Sequence, residues 1–160
     1  LEKDKGDIEI NELTFNNADD VSKPVKISYE YELSDGIDEV GDKLYFSPLF
    51  FLATKENPFK LDEREYPVDF VIPNSDKYMV NIMLPEGYKV ESLPNSEAVA
   101  FKDANVKFSY LVKQNGNFIQ LKAQLDIVNP LILPSDYKDF KAFYGKIVEK
   151  QAEQIVLTKV

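Results

Sequence analysis

Carboxylates and hydroxyls are the main side chains in this sequence that could perform catalysis, because its 160 residues include no histidine and no cysteine. Histidine is the usual general base near neutral pH, and cysteine is the strongest ordinary nucleophile. The two residues also supply most protein ligands of zinc, copper, haem and iron–sulfur clusters. The sequence therefore excludes thiol and Ser-His-Asp catalysis, zinc sites and disulfides. It leaves carboxylate chemistry, hydroxyl chemistry or no chemistry.

Acidic residues occur in several groups that could suit glycoside cleavage or calcium binding. Residues 35–42 come nearest to a calcium loop, but they lack the order of acids and glycine that such a loop needs. The hydroxyl residues lie in no G-x-S-x-G motif. A solvated acidic surface explains these groups better, so we predict no catalytic residue, no metal site and no cofactor. The groups are Asp19-Asp20, Asp35/Asp38/Glu39/Asp42, Asp62-Glu63 and Glu65.

The aromatic residues and the single arginine are candidates for binding. A sugar-stacking platform needs exposed rings, but the sequence has no tryptophan, and most of its tyrosines and phenylalanines fall at inward positions. Arg64 is the only arginine and stands beside three acids. Since the planar guanidinium pairs well with carboxylate or backbone oxygens, we expect Arg64 to fasten a chain crossing rather than bind a ligand.

The net charge of −9 indicates which partners to expect. An acidic chain is repelled by phosphate backbones and by anionic membrane surfaces, so we predict no nucleic-acid partner. The longest apolar run, around residues 49–53, is too short to span a bilayer, which predicts no membrane insertion. The first residues include neither an initiator methionine nor the apolar region of a signal peptide. We therefore expect the sequence to be a segment of a longer protein.

Apolar and polar side chains alternate along much of the chain, which is typical of antiparallel strands with one wet face. Residues 24–33 are the clearest example, and residues 6–15 predict a strand with a bulge or break near Asn11. A similar alternation over residues 77–84 places Met79 and Met83 on the reverse face of their strand. The pair Asn115-Gly116 predicts a hairpin with a type I′ turn between residues 106–113 and 118–128.

After Pro134 the apolar residues recur every three or four positions, which predicts a helix over about residues 135–152. Ser135 is expected to cap this helix, and Gly145 to mark close packing on a strand. The predicted fold class is mainly β, an antiparallel β-sandwich with this one helix. We expect a single module over residues 1–160, with a split into lead-in strands (1–58) and a C-terminal domain (62–160) as the alternative.

Two strings in the second half resemble a known family. Residues 63–70 (EREYPVDF) and 84–94 (LPEGYKVESLP) are similar to the C-terminal domain of unknown function, DUF3858-like, of Bacteroidetes transglutaminase-like proteins. The resemblance covers about residues 62–160. It implies a non-catalytic β-sandwich that follows a papain-like transglutaminase core, in a protein exported to the periplasm or cell surface. The Cys-His-Asp triad of that core has no counterpart in this sequence.

The resemblance thus predicts an accessory module, not an enzyme, whose partner is the adjacent transglutaminase-like domain of the same chain. We expect the contact to involve Arg64, Pro67 and Phe70, together with the apolar stripe of the predicted helix. A cell-surface β-sandwich that binds carbohydrate or protein is the alternative, and hydrolysis by carboxylates alone is a third possibility.

Overall fold

A computed structural model describes residues 8–160 of the chain, which form two compact units that divide after Ile37. The first unit is an antiparallel hairpin of β1 (Ile8–Asn16) and β2 (Lys26–Leu33). The pairing shifts register between Ile10 and Leu13, which confirms the predicted irregularity near Asn11. Residues 6 and 7, the start of the predicted strand, lie outside the described residues. The shift keeps the apolar residues of both strands in register: Ile8, Ile10, Leu13 and Phe15 lie opposite Leu33, Tyr31, Tyr29 and Ile27.

The second unit contains a four-stranded antiparallel sheet, the first sheet, which consists of β6 (Asn74–Met83), β8 (Glu97–Phe101), β9 (Val106–Asn115) and β10 (Phe118–Ile127). Its strand order is β6–β10–β9–β8. Its inward face supplies much of the core, because alternate residues of β9 and β10 are almost fully buried. On β6, Met79 and Met83 lie on the exposed face, as the alternation predicted.

A second four-stranded antiparallel sheet consists of β3 (Asp38–Val40), β4 (Lys43–Phe46), β7 (Tyr88–Ser92) and β12 (Ile155–Lys159). Its strand order is β3–β4–β12–β7. The strand β4 pairs with β12, so residues 43–46 belong with the C-terminal strands rather than with the hairpin. Two further strands of two residues each, β5 (Val68–Asp69) and β11 (Leu131–Ile132), pair with each other and belong to neither sheet.

The single α-helix, α1 (Tyr137–Ala152), packs into the core of the second unit. Phe140 is completely buried at the centre of a cluster of aromatic rings, among them Phe101 of β8 at 5.3 Å between ring centroids. The core also includes Ile155 and Leu157 of β12, so side chains of both sheets meet around the helix. This arrangement confirms a mainly β, antiparallel, sandwich-like fold with one late helix.

The structure corrects two local predictions. The turn between β9 and β10 consists of Gly116 and Asn117, and only Gly116 of the two has a positive φ, 59°. Asn115 belongs to the strand, so a type I′ turn at Asn115-Gly116 is wrong. Ser135 lies in a 3-10 turn before α1, and Asp136 occupies the N-cap, with its carboxylate paired to Lys102 instead of a helix amide.

Gly145 does not mark a close approach, contrary to the expectation from sequence. A Cβ built there would meet only Asn57 Nδ2, at 3.6 Å, which is ordinary van der Waals contact. Because glycine costs a helix interior about 1 kcal/mol relative to alanine, Gly145→Ala is expected to raise the free energy of unfolding by about 0.5–1 kcal/mol. Urea denaturation checks this, and a lower midpoint for the variant would contradict it.

Lys150 is a buried charge on the last turn of α1. Its ammonium pairs with Glu153 Oε1 at 2.7 Å and with Glu97 Oε2 of β8 at 3.1 Å. The hydrogen bond to Glu153 is the main cause that raises the pKa of Lys150 above its ordinary value; burial opposes it. These contacts join the helix end to the edge of the first sheet.

The raised pKa predicts a loss of stability at alkaline pH. The contribution of Lys150 is complete below the ordinary pKa of lysine, and disappears as the pH rises through the raised pKa of the folded state. In chemical denaturation, wild type is therefore expected to exceed Lys150→Gln in stability at neutral pH, with the difference shrinking at strongly alkaline pH. A stability difference between wild type and Lys150→Gln that stays constant from neutral to strongly alkaline pH would contradict a stabilising role of the Lys150 charge.

Candidate contact surface

A long irregular segment, residues 54–72, crosses over α1, and we refer to it as the crossing segment. Its backbone has few partners of its own, so side chains fasten it to the helix. The Thr54 N–H donates to Gln151 Oε1 at 2.7 Å, and Asn57 Nδ2 donates to the Lys141 carbonyl at 2.8 Å. The Asn57 side chain also accepts from the Phe59 N–H, which turns the chain toward the helix.

Further along, the helix holds the crossing segment through carbonyl oxygens. The Leu61 carbonyl accepts from the Tyr137 hydroxyl at 3.0 Å and from Lys141 Nζ at 3.0 Å. Lys141 also donates to the Lys60 carbonyl and pairs with Asp62. The position of the following residues is therefore determined by the helix.

Phe59 inserts its ring from the crossing segment into the aromatic cluster of the core. Its nearest neighbours are Phe140 at 4.9 Å and Tyr144 at 5.2 Å between ring centroids, both edge to face. Such pairs contribute about 0.5–1.5 kcal/mol beyond the area that they bury. The cluster thus ties the crossing segment to α1 at the centre of the unit.

The structure brings two of the three predicted contact residues to this cluster. The Arg64 guanidinium lies 5.7 Å from the centroid of the Tyr137 ring, in keeping with a role in fastening the crossing segment. Phe70 is half-buried against Phe59, and its N–H donates to the Pro130 carbonyl at 2.9 Å. Pro67 is half-buried just before β5. Each of the three keeps part of its side chain exposed.

The helix stripe cannot contribute to a contact surface as the sequence predicted. Tyr137, Phe140, Phe143 and Ile147 are all buried in the core of their own unit. A helix that covers a sheet with its apolar face leaves only its polar face to solvent, so that part of the prediction is wrong.

Exposed apolar side chains instead surround β5 and β11, and we call them the β5–β11 patch. Val71 is 80% exposed and Ile72 64% exposed, although both are aliphatic. The backbone brings them together, because Leu131 pairs with Asp69 and the Phe70 N–H reaches Pro130. Contiguous exposed apolar groups mark contact sites more often than scattered ones do. The patch consists of Tyr66, Val71, Ile72, Leu131 and Leu133.

Val71 adopts a strained conformation at the centre of this patch. Its φ is 69°, and the Ile72 N–H donates to the Phe70 carbonyl at 2.8 Å, which closes a γ-turn around it. A β-branched residue rarely adopts a positive φ, and strain of this kind is concentrated at functional sites. Sequence reasoning missed this feature, because nothing in V-I-P-N indicates a positive φ at the valine.

The metal ligands, grooves and titratable groups of the described residues complete the description of this region. Residues 8–160 contain no group of three or more carboxylates that could hold a metal ion, and no helix among them is long and apolar enough to cross a membrane. Beside the crossing segment lies a groove of about 480 Å³ in which Asp62 and Glu63 face Lys138 and Lys141; no tyrosine lines it. The Tyr110 side chain is fully buried, and this burial raises the pKa of its phenol far above the ordinary range, so that the phenol stays neutral.

The fold and this surface define a β-sandwich module with a single helix, fastened by a crossing segment that ends in an exposed apolar patch. A family model matches residues 42–157, and the chain belongs to that family, DUF3858, a domain of unknown function. The match includes the crossing segment and starts after the hairpin of β1 and β2. It confirms the family to which the sequence strings pointed.

Comparison with solved structures adds one relative of the fold. A chain from Parabacteroides distasonis, titled a "putative protease", superposes with a TM-score of 0.51 at 11% sequence identity. The match covers 61% of this chain and 19% of that chain, so the aligned region spans about a fifth of the length of that protein. At this identity the likeness concerns the fold alone. The search of curated proteins found no match.

Proposed function

We propose that this chain is a non-catalytic accessory module that packs on a neighbouring transglutaminase-like catalytic domain of the same protein, outside the cytoplasm. The β5–β11 patch carries the proposal, because exposed aliphatic groups on a strained turn are costly unless something covers them. Arg64, Pro67 and Phe70 lie beside or beneath the patch and would form part of the same contact.

The composition supports a role in which any catalysis is performed by another domain of the same protein. Without histidine or cysteine, this chain lacks the residues of a thiol protease or transglutaminase site, so such chemistry would belong to another domain. The match to about a fifth of a much longer chain shows that this fold also occurs as one part of a larger protein. A carbohydrate-binding role receives less support, because the groove beside the crossing segment has acids but no exposed aromatic platform.

The proposal is tested with separately purified pieces of the parent protein. The segment encoded directly upstream is titrated with this chain by isothermal calorimetry, and turnover of a transglutaminase or protease substrate is measured for each piece. We expect binding with a negative heat-capacity change, as apolar burial requires, and turnover only where the upstream segment is present. Turnover by this chain alone, or an upstream segment that neither binds it nor encodes a Cys-His-Asp core, would contradict the proposal.

A further inference from the structure

The outward-facing side of the first sheet combines lysines with exposed apolar side chains. On each of its strands, residues that alternate with the buried ones point away from the core. Its charged members are four lysines and a single acid, Asp126, although the chain as a whole has a net charge of −9. We call this surface the outer face, and its lysines are Lys77, Lys107, Lys113 and Lys122.

The register places these lysines among apolar groups. Lys122 of β10 lies between Met79 of β6 and Leu111 of β9. At the start of β10, Phe118 lies opposite Met83, the last residue of β6. Met79, Met83, Leu111 and Phe118 are each between 43% and 69% exposed. Methionine and lysine stems adapt readily to an irregular partner surface.

The acid on this face is hydrogen-bonded to neighbouring side chains, whereas none of the four lysines forms a close ion pair within the described part of the chain. Asp126 accepts hydrogen bonds from Ser75 Oγ at 2.5 Å and from Gln124 Nε2 at 2.9 Å. These bonds are the main reason why the pKa of Asp126 is lowered, with Lys107 and Lys122 adding to the effect. Across residues 8–160, the ion pairs that the structure contains involve none of the four lysines.

From this geometry we propose that the outer face is a docking surface for an acidic protein surface that also carries apolar groups. Charge complementarity selects an acidic partner, because four lysines and one acid make this face locally positive although the chain as a whole is negative. The apolar rows favour a protein over a simple polyanion. The absence of arginine from this face disfavours phosphate, which the guanidinium fork recognises best.

The size of the face indicates a weak complex. The outer face has five rows of outward residues along strands that rise ~3.3 Å per residue, and its four strands lie ~4.8 Å apart. Measured between the outermost rows and strands, its area is roughly 400 Å². Stable interfaces bury about 800 Å² on each partner, so a permanent dimer of this chain is not supported. The proposed complex is transient, and because exposed charges attract the partner, its affinity falls with ionic strength.

The test uses a random copolymer of glutamate and tyrosine as the acidic, partly apolar probe. Binding is measured for wild type, for the face variant Lys77→Glu/Lys113→Glu/Lys122→Glu, and for the control Lys55→Glu/Lys89→Glu/Lys146→Glu, which changes the net charge equally. We expect the face variant to bind at least about tenfold more weakly, and the control to stay within about threefold of wild type. Equal losses in both variants would overturn the proposal.

Two further measurements keep the outcome independent of folding defects in the variants. In wild-type chain labelled with ¹⁵N, addition of the copolymer is expected to shift amides of β6, β9 and β10; shifts elsewhere, or none, would contradict the proposal. Heparin and phosphatidylglycerol vesicles are titrated in parallel. If either binds more tightly than the copolymer, the face recognises a glycan or a membrane and the proposed protein partner is wrong.

Discussion

Replacing Phe140 with alanine is expected to lower the free energy of unfolding of the second unit by about 3–5 kcal/mol. The side chain is completely buried, and the rings of Phe59, Phe101 and Tyr144 lie within 6.1 Å of it. Truncation would leave a cavity that three different elements would have to fill together. Since domains are stable by only about 5–15 kcal/mol, thermal unfolding is expected to occur at least roughly 10 °C lower.

Phe118→Ala is the matched control, because this ring lies on the outer face and is 43% exposed. It is expected to cost about 1 kcal/mol or less. Differential scanning calorimetry of both variants measures the stability that each one loses relative to wild type. Equal losses at the two positions would mean that the aromatic cluster is not the centre of the core.

The second large effect is expected on docking rather than on folding. The double variant Val71→Gly/Ile72→Ser removes two exposed side chains of the β5–β11 patch, and glycine also accepts the positive φ of Val71. We therefore expect it to fold with near wild-type stability. Its affinity for the upstream segment is expected to fall about a hundredfold, as for loss of central apolar anchors.

Ile37→Ser/Val40→Ser is the matched control, because it removes one isoleucine and one valine that are also exposed but lie outside the patch. Its affinity for the upstream segment should stay within about twofold of wild type. Binding that survives the loss of Val71 and Ile72, or that falls as much in the control, would show that the contact lies elsewhere.

Strand alternation and helix periodicity were sufficient to predict much of the fold. The irregularity near Asn11, the outward methionines of β6 and a helix ending at Ala152 all follow from local patterns that the backbone must satisfy. The exact turn at Gly116 did not follow, since a hairpin's register determines which two residues form the loop. The helix cap did not follow either, because Asp136 has a distant partner, Lys102.

The contact surface was harder to predict because it depends on tertiary packing. Arg64 and Phe70 were selected from a sequence string, and both lie on the crossing segment beside the aromatic cluster. The helix stripe was misassigned, since periodicity shows that one face is apolar but does not reveal what covers it. The patch itself arises from the pairing of β5 with β11, two-residue strands that leave almost no signal in a sequence.

Hydroxyl-radical footprinting of the parent protein and of this chain alone tests the central claim most directly, because it measures the solvent exposure of side chains. If the β5–β11 patch contacts the neighbouring domain, Tyr66, Ile72 and Leu131 will react more slowly in the parent than in the isolated chain. Val40, which is 64% exposed and lies outside the patch, should react equally in both and serves as the internal reference. Equal reactivity of Tyr66, Ile72 and Leu131 in the two samples would contradict the account.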